Sequence, residues 1–342
     1  MTNVALNGFG RIGRAFLKLA LRRPELTVAA INDVAEPANL AYLLRFDSVY
    51  GRYEPEVSLE EAAGQTRLRV GAVGIPLLRQ ADPARLPWKE LGVDVVVEAT
   101  GKLASYAKAA VHLTAGARKV ILTAPAKDDD RADARTVLIG VNEEGMSACR
   151  LTSNGSCTTN SASPVLQILS QGLGVKKAFL NTVHGYTATQ SLVDGPARGS
   201  DLRRGRAAAS NIIPSSTGAA LAVTRAIQGL RGKFDGIALR VPVLNGSLSC
   251  IVFVATRPTS ADEINTLLEK AEKEARWKGV FKTTRDPIVS SDIVGDTYAA
   301  IADLSLTKVV DGDLCAVYSW YENEMGYANT LVERVIRVAQ GR

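Results

Sequence analysis

A cysteine and a histidine are the candidate nucleophile and base of this chain. Cys157 lies within residues 153–160 (SNGSCTTN), where one thiol stands among hydroxyl side chains just ahead of a predicted helix. The unpaired N–H groups and the dipole of a helix N-terminus favour a thiolate. His184 lies 27 residues downstream, at the end of a run typical of a β-strand. Together the two residues predict covalent catalysis by a thiol.

The other thiols and the second histidine have a plainer interpretation. Cys149, Cys250 and Cys315 are expected to be inert, because most free cysteines are buried packing residues. His112 lies in a predicted helix and is expected to be an ordinary packing or surface residue. The number and spacing of the cysteines fit neither a disulfide framework nor a zinc site. We therefore expect no metal site and a reducing compartment.

A glycine-rich segment predicts a dinucleotide site. Residues 8–13 (GFGRIG) form the pattern G-x-G-x-x-G between a strand and a helix, and Asp33 lies 20 residues beyond Gly13. The first glycine permits a tight turn, the second lets a pyrophosphate approach, and the third lets helix and strand pack closely. A carboxylate at Asp33 accepts from a ribose 2′-hydroxyl and repels a 2′-phosphate, which favours NAD over NADP. A purely structural glycine turn is the weaker interpretation here.

The elements around this segment alternate between strand and helix. Apolar runs predict strands at 4–7, 26–31, 93–98 and 119–123, and helical spacing predicts helices at 12–22 and 105–117. This order is typical of a Rossmann-type, doubly wound parallel sheet. The first ~150 residues are therefore expected to form an α/β domain.

The second half of the chain has a different pattern. A helix is predicted at 163–171, and strand runs follow at 179–183, 236–243, 248–255 and 313–321. This order favours a second α+β domain with a largely antiparallel sheet. A long polar loop at 190–207 is expected to be functional. The final amphipathic stretch, 328–338, is a predicted helix that is expected to pack on the first domain.

The composition of the chain excludes several classes of protein. The 342 residues correspond to about two domains. With 46% hydrophobic and 22% charged residues, the chain is unlike disordered or collagen-like proteins. A net charge of +6 suits anionic small molecules as well as nucleic acid. The sequence has no apolar run of membrane-spanning length, so no membrane association is expected.

Five short blocks of the chain form a recognisable set: 7–14 (NGFGRIGR), 153–160 (SNGSCTTN), 184–187 (HGYT), 214–220 (PSSTGAA) and 321–324 (YENE). Together they closely resemble the glyceraldehyde-3-phosphate dehydrogenase family. The similarity extends over essentially the whole chain. It implies a dinucleotide-binding domain at 1–156, completed by a C-terminal helix at 322–342, and a catalytic and oligomerisation domain at 157–321.

The resemblance implies the oxidative phosphorylation of D-glyceraldehyde 3-phosphate to 1,3-bisphosphoglycerate, with reduction of NAD. Cys157 would attack the aldehyde to give a hemithioacetal, while His184 would take the proton and form an ion pair with the thiolate. Inorganic phosphate would then cleave the thioester formed by oxidation. The implied assembly is a cytoplasmic homotetramer with no membrane and no obligatory nucleic-acid partner.

The resemblance also implies ligand-binding residues. For the cofactor they are Gly8, Gly10, Arg11, Ile12, Gly13, Asp33, Thr100, Thr123, Asn323 and Tyr327. For the two phosphate groups they are Ser156, Thr158, Thr187, Thr189, Arg204, Thr217, Gly218 and Arg240. Of the two arginines, Arg240 is the stronger candidate for phosphate binding. Arg204 has the alternative interpretation of a solvent-exposed charge in a loop. Thr100 and Thr123 have a plainer alternative as hydroxyls at strand ends.

The chain departs from the family pattern at four places. Ser161 stands where a second cysteine is common, and Thr189 where an aspartate is usual. The segment 196–201 is two residues longer than usual, which leaves cofactor choice and subunit contacts open. Met325 stands where the family usually has a tryptophan, and we expect this substitution to change only the local packing.

Two other functions compete with this one. The nearest is erythrose-4-phosphate dehydrogenase, a relative that oxidises a longer aldehyde and transfers the acyl group to water. The intact pairs Tyr186-Thr187 and Thr217-Gly218 favour the three-carbon substrate and phosphate. The second is an RNA-binding protein that uses its basic excess. A matched nucleophile, base and cofactor site favours catalysis over passive binding.

Overall fold

A computed structural model describes residues 1–62, 64–197 and 199–339 of the chain. They form two compact units. The first comprises Met1–Val137, Glu143–Asn154 and the C-terminal segment from Leu331; the second comprises Leu138–Asn142 and Gly155–Thr330. The predicted boundary after residue 156 lies close to Gly155, where the chain enters the second unit.

The first unit is built from strands alternating with short helices. In chain order these are β1 (Thr2–Asn7), α1 (Arg11–Ala20), β2 (Leu26–Asn32), α2 (Pro37–Arg45), β3 (Phe46–Asp47), β4 (Gly51–Arg52), β5 (Val57–Ala62), β6 (Gln65–Val70), β7 (Val73–Leu78), β8 (Val95–Glu98), α3 (Tyr106–Ala109), α4 (Val111–Thr114), β9 (Lys119–Leu122), β10 (Ala134–Thr136) and β11 (Leu151–Ser153).

The main sheet of this unit is a doubly wound parallel sheet with an antiparallel extension. In the described residues its strand order is β10-β11-β9-β8-β1-β2-β7-β6-β5. The strands from β10 to β7 pair in parallel, whereas β7, β6 and β5 pair antiparallel. All four residues of β8 are buried, as expected for a central parallel strand covered on both faces. The strand order reverses at β1, so the carboxyl end of β1 is where a ligand is expected.

The second unit follows with one long helix and a mixed sheet. Its elements are α5 (Cys157–Gly172), β12 (Val175–Gly185), β13 (Ile213–Ser216), α6 (Ala219–Ala226), β14 (Phe234–Val241), β15 (Ser247–Ala255), α7 (Ala261–Glu272), β16 (Phe281–Thr284), β17 (Ala300–Val310), β18 (Leu314–Tyr321) and α8 (Met325–Ala339). Helix α8 begins in this unit, and the unit ends at Thr330.

The sheet of the second unit is mainly antiparallel. Its order in the described residues is β13-β14-β12-β15-β18-β17-β16. Only two of these pairs, β12 with β14 and β16 with β17, run parallel. Alternate residues of β15 are buried, the pattern of a strand with one face on a core. Helix α5 packs on that face through Leu166 and Leu169, in a core with Phe253 and Val317.

The predicted fold class is confirmed, while several element bounds differ. The helix predicted at 163–171 begins earlier, at Cys157, because Ser156 caps it and Pro164 lies inside the helix rather than at its start. The helix predicted at 105–117 is divided into α3 and α4 around Ala110. The C-terminal helix begins at Met325 rather than at 322, and residues 340–342 lie outside the described residues.

Candidate active site

Cys157 is the first residue of α5 and is half-buried. The preceding residue, Ser156, caps the helix: its Oγ accepts a hydrogen bond from the N–H of Thr159 at 3.1 Å. Oγ1 of Thr159 accepts from the N–H of Ser156, also at 3.1 Å, which completes a capping box. These two bonds fix the position of the thiol in the first turn.

His184 faces this thiol. Its Nε2 atom lies 3.3 Å from Sγ of Cys157. His184 is near the end of β12 and pairs in register with Arg240 on the parallel strand β14. Strand pairing therefore places the candidate base beside an arginine that is 56 residues away in sequence.

The other ring nitrogen of His184 has two neighbours that favour opposite tautomers. Nδ1 lies 2.6 Å from the carbonyl oxygen of Gly185 and 2.7 Å from Nη1 of Arg240. A protonated Nδ1 can donate only to the carbonyl, and Nε2 is then free to accept the thiol proton. A bare Nδ1 can accept only from the guanidinium, and Nε2–H then faces the sulfur. The site thus accommodates both tautomers of a neutral imidazole.

The pKa values of the pair favour uncharged forms in the free protein. Burial, followed by the positive charge of Arg240, lowers the pKa of His184 to about 3. Burial raises the pKa of the Cys157 thiol, although Arg240 and the Thr158 N–H act in the opposite direction. Both shifts favour a neutral thiol and imidazole, because burial costs a charged group its hydration, and the ion pair expected from the sequence stays a prediction.

Tyr321 joins three elements next to this pair. Its hydroxyl lies 2.9 Å from Oγ1 of Thr158 and 2.7 Å from Oγ1 of Thr182 on β12. Its ring meets the His184 ring edge-on, with centroids 5.8 Å apart. Burial raises the pKa of Tyr321 far above its usual value. The phenol therefore stays protonated and braces the first turn of α5 against the strand that carries His184.

Two arginines provide positive charge at the site. Nη2 of Arg204 donates to Oγ of Ser215 at 3.1 Å and to the carbonyl of Ser216 at 3.2 Å, and its Nη1 lies 3.5 Å from Oγ1 of Thr189. Burial lowers the pKa of Arg240, Cys157 and Tyr321 act in the opposite direction, and the charge of Arg204 lowers it further. An anion between these guanidinium groups would relieve that repulsion.

The other predicted phosphate ligands have different surroundings. The hydroxyls of Thr187 and Thr189 lie 2.9 Å apart at the surface. Gly218 is exposed at the start of α6, and Oγ1 of Thr217 accepts from the Ala219 N–H at 3.1 Å. Thr158 is buried and bonded to Tyr321, so its hydroxyl is engaged inside the unit.

The glycine segment of the first unit meets the steric requirements of a dinucleotide loop. Gly8 has φ +102°, and a Cβ there would lie 2.6 Å from the carbonyl carbon of Ala99. A Cβ on Gly13 would lie 2.3 Å from the carbonyl oxygen of Gly8, whereas a Cβ on Gly10 would have no atom within 4 Å. Gly8 and Gly13 are thus required by the fold, and the open space at Gly10 fits an approaching pyrophosphate.

A cavity of about 270 Å³ lies beside this segment. Its lining includes Gly8, Gly10, Asp33 and Thr100. The Asp33 carboxylate accepts from the Phe9 N–H at 2.7 Å and from the Ala35 N–H at 3.0 Å, so it is held in place at the cavity. The observed glycine geometry and the fixed acid fit a dinucleotide that carries a free ribose hydroxyl.

Glu98 lies in a buried hydrogen-bond network next to Thr100. Oε1 accepts from the N–H of Thr100 at 2.9 Å and from its hydroxyl, while Oε2 accepts from Nδ2 of Asn7 at 2.6 Å and lies 3.0 Å from Nε2 of His112. The indole N–H of Trp88 donates to Nδ1 of His112 at 3.1 Å, so Nε2 carries the ring proton. His112 is therefore a fully buried network residue and not an ordinary surface one.

Three further predicted cofactor residues lie in the first unit. Arg11 forms an ion pair with Asp47 at 2.8 Å, and its guanidinium stacks over the Tyr50 ring. Ile12 is half-buried in the first turn of α1. The Thr123 hydroxyl donates to the Glu98 carbonyl at 3.0 Å at the end of β9. Their predicted contacts with the cofactor stay predictions.

The two predicted cofactor residues of the second unit are both buried. Oδ1 of Asn323 accepts from the Gly246 N–H at 3.1 Å and from the Ser247 hydroxyl at 2.9 Å. The Tyr327 hydroxyl donates to the Gly155 carbonyl at 3.0 Å, two residues before Cys157. Tyr327 thus braces the turn that carries the nucleophile, and the contact with the nicotinamide ring stays a prediction.

The other three thiols are Cys149, Cys250 and Cys315. All four cysteines are unpaired, with Cys149 and Cys315 buried and Cys250 half-buried. Ser161, in place of the second family cysteine, is buried with its Oγ 3.2 Å from Oγ of Ser249. The described ranges hold no group of three or more His, Cys, Asp or Glu side chains arranged to bind a metal, and no helix long and apolar enough to cross a membrane.

Sequence reasoning missed Tyr321 as a site residue, although it begins one of the resembling blocks. It also missed Glu98, Ser247 and Thr182. The only sequence signal for Glu98 is an acid at the end of an otherwise apolar strand, since a buried carboxylate requires partners. The other two residues have no comparable local signal.

The chain is similar to known proteins over almost its whole length. Residues 2–106 match the family "Glyceraldehyde 3-phosphate dehydrogenase, NAD binding domain", and residues 156–323 match "Glyceraldehyde 3-phosphate dehydrogenase, C-terminal domain". The glyceraldehyde-3-phosphate dehydrogenases of Mycobacterium avium and Mycobacterium tuberculosis are each 46% identical over 344 residues, which cover 98% of both chains. That of Clostridium pasteurianum is 43% identical over 336 residues, covering 97% of each chain.

Proposed function

The chain belongs to the glyceraldehyde-3-phosphate dehydrogenase family, and we propose that it oxidises D-glyceraldehyde 3-phosphate to 1,3-bisphosphoglycerate with NAD and inorganic phosphate. One observation carries the mechanism: Nε2 of His184 lies 3.3 Å from Sγ of Cys157. At this distance a thiol proton can pass directly to the imidazole as the sulfur attacks a carbonyl carbon. The chain is thus an NAD-dependent, phosphorylating aldehyde dehydrogenase.

Cys157 forms the S–C bond to the aldehyde carbon while Nε2 of His184 takes the thiol proton and delivers it to the carbonyl oxygen. A neutral imidazole is required for this step, and the pKa of about 3 keeps His184 neutral throughout the physiological range. Nε2 removes the hydroxyl proton of the resulting hemithioacetal in the next step. When bound, NAD supplies the hydride acceptor that converts this hemithioacetal into a thioester.

The residues proposed to hold NAD are those whose geometry fits it. Gly8, Gly10 and Gly13 shape the pyrophosphate loop, and Asp33 accepts from the ribose hydroxyl. The amide of Asn323 is the proposed partner of the nicotinamide carboxamide. Because Asp33 would repel a 2′-phosphate, we expect NAD to be used in preference to NADP.

Phosphate is proposed to attack the thioester carbon and release the thiolate of Cys157, which recovers its proton from His184. Arg240 and Arg204 supply the positive charge for the two phosphate groups, with hydroxyl donors from Thr187, Thr189 and Thr217. The hydroxyl of Thr189 is a donor where an aspartate would repel the anion. The balanced products are an acyl phosphate, reduced NAD and one proton.

We also propose a cytoplasmic homotetramer. Large apolar side chains are exposed along residues 190–212, namely Leu192, Val193, Leu202 and Ile212. Such a concentration is typical of a surface covered by another copy of the chain. The four unpaired thiols fit a reducing compartment.

The assay that tests this function follows the absorbance of reduced NAD with purified protein. Initial rates are compared for glyceraldehyde 3-phosphate and erythrose 4-phosphate, with NAD or NADP, and with or without phosphate. We expect fast, phosphate-dependent turnover only with the three-carbon aldehyde and NAD. Equal or faster phosphate-independent oxidation of erythrose 4-phosphate would instead assign the chain to the competing dehydrogenase. Light scattering after size-exclusion chromatography tests the tetramer, and a monomer would contradict it.

A further inference from the structure

Ser247 connects the two halves of the catalytic apparatus in the second unit. It is the first residue of β15 and is 2% exposed. Its hydroxyl lies 2.9 Å from Oδ1 of Asn323 and 3.3 Å from the backbone nitrogen of Gly185, the residue after His184. One buried hydroxyl therefore contacts both the amide proposed to hold the nicotinamide and the peptide that follows the base.

Two backbone N–H donors, those of Gly185 and Gly246, determine the direction in which the Ser247 hydroxyl donates its proton. The Gly185 N–H can only donate, so the Ser247 oxygen is its acceptor. The Gly246 N–H is shared between Oδ1 of Asn245 at 2.5 Å and Oδ1 of Asn323 at 3.1 Å, and a donor at this position fits the assignment of the Asn323 atom as the carbonyl oxygen of the side-chain amide. Since Oδ1 can only accept, Ser247 must donate to it. The amide NH₂ of Asn323 is thus directed away from these two donors.

The same hydroxyl anchors His184. Its bond to Gly185 restrains the peptide between residues 184 and 185, and the Tyr186 N–H restrains the next peptide by donating to the Val243 carbonyl at 3.0 Å. These peptides set the position of the Gly185 carbonyl, which lies 2.6 Å from Nδ1 of His184. The orientation of the imidazole therefore depends partly on Ser247.

We propose that Ser247 is a positioning residue that orients both the Asn323 amide and the His184 peptide for the reaction. This inference rests on the proposed function, because it assigns the Asn323 NH₂ group to the carboxamide of NAD. Ser247 itself contacts neither substrate nor cofactor in this assignment. We therefore expect loss of the Ser247 hydroxyl to lower the affinity for ligands that carry a nicotinamide ring more than the affinity for ligands that lack one.

Ser249 provides a matched control on the same strand. It is also fully buried and lies two residues along β15, so it points to the same face of the sheet. Its Oγ contacts Oγ of Ser161 at 3.2 Å, and its pairing with Thr182 on β12 is through the strand backbone, which an alanine keeps. Ser249→Ala therefore removes a buried hydroxyl of the same kind without removing the bonds to Asn323 and Gly185.

The first test compares the affinities of NAD and ADP-ribose by isothermal titration calorimetry. In Ser247→Ala we expect NAD to bind about fivefold more weakly, the loss of one hydrogen bond, and ADP-ribose to bind unchanged. Ser249→Ala should leave both affinities unchanged. In an Asn323→Ala background, Ser247→Ala should cause no further loss of NAD affinity, because the amide it orients is absent.

The second test needs no cofactor. The rate at which iodoacetamide alkylates Cys157 should fall about fivefold in Ser247→Ala and stay unchanged in Ser249→Ala, because His184 is less well positioned. An unchanged ratio of NAD to ADP-ribose affinity in Ser247→Ala, or an unchanged alkylation rate, would overturn the proposal. A wild-type protein that bound NAD but oxidised no aldehyde would refute the proposed function alone, and both tests would still decide the role of Ser247.

Discussion

Nη1 of Arg240 lies 2.7 Å from Nδ1 of His184, on neighbouring parallel strands. A positive charge so close to the imidazole opposes its protonation, and with burial it lowers the pKa of His184. We therefore expect Arg240 to have two effects on one reaction: its proposed attraction of the phosphate groups, and its opposition to the protonation of His184.

Arg240→Leu is predicted to weaken phosphate-dependent turnover. Loss of charged hydrogen bonds should raise the KM values for phosphate and the aldehyde substrate by about 10- to 100-fold. The pKa of His184 should rise, so the acid limb of the pH profile of kcat/KM should move to higher pH. Arg203→Leu is the control, because Arg203 is exposed and pairs with Asp201. Identical profiles for Arg240→Leu and wild type would contradict this role.

His184→Ala is predicted to slow the reaction without abolishing it. General base catalysis typically contributes about 10²- to 10⁴-fold, so kcat should fall by that factor. The cofactor-free fold should persist, because the residue lies at the end of its strand. The measurement is single-turnover reduction of NAD, with ADP-ribose affinity as a check on folding. A loss below about tenfold would exclude His184 as the base.

Two glycines in the dinucleotide loop should respond differently to the same substitution. Gly13→Ala places a Cβ 2.3 Å from the Gly8 carbonyl oxygen and should destabilise the cofactor-free protein by about 1–3 kcal/mol or more. Gly10→Ala places its Cβ in open space, so stability should be unchanged while NAD binds about tenfold or more weakly. Thermal unfolding and calorimetry distinguish the two effects. Undiminished NAD affinity in Gly10→Ala would place the pyrophosphate elsewhere.

Glu98→Gln is predicted to destabilise the protein in a pH-dependent way. Burial raises the pKa of Glu98, but hydrogen bonds from His112, Thr100 and Asn7 outweigh burial and lower it overall. A carboxyl group with a lowered pKa stabilises the fold above its unfolded-state pKa, and this stability is lost as pH falls through the folded-state value.

At neutral pH, the amide of Glu98→Gln would present an NH₂ group to donors, at a cost of about 1–3 kcal/mol. Urea unfolding of the wild type and of Glu98→Gln should show that the difference between their free energies of unfolding narrows as the pH falls below about 4.5. Glu60→Gln is the control, because its exposed carboxylate pairs with exposed Arg69 and such pairs contribute little. A pH-independent difference would show that the Glu98 charge is not the cause.

Residue type and local spacing were enough to predict the glycine loop, the fold class and the choice of Cys157 and His184 as candidates. These features depend on short segments, in which turn geometry and helix capping are local. The helix predicted from residue 163 begins at Cys157, because the capping box at Ser156 starts it earlier and Pro164 lies inside it.

Features that depend on tertiary packing could not be predicted in this way. The pairing of His184 with Arg240 depends on the register of two strands that are far apart in sequence. The burial of His112 against Glu98 and Trp88 requires a helix to pack over a strand end. The shifts that raise the pKa of Cys157 and lower the pKa of His184 depend on burial, which a sequence motif does not report.

The most direct measurement of the central claim uses Cys157 itself. Iodoacetamide is added in increasing amounts, the modified thiols are located by peptide mass spectrometry, and NADH formation is measured for each sample. Activity should fall in proportion to modification of Cys157 and not of half-buried Cys250, and Cys157→Ala should form no NADH. Wild-type rates of NADH formation by Cys157→Ala would contradict the account.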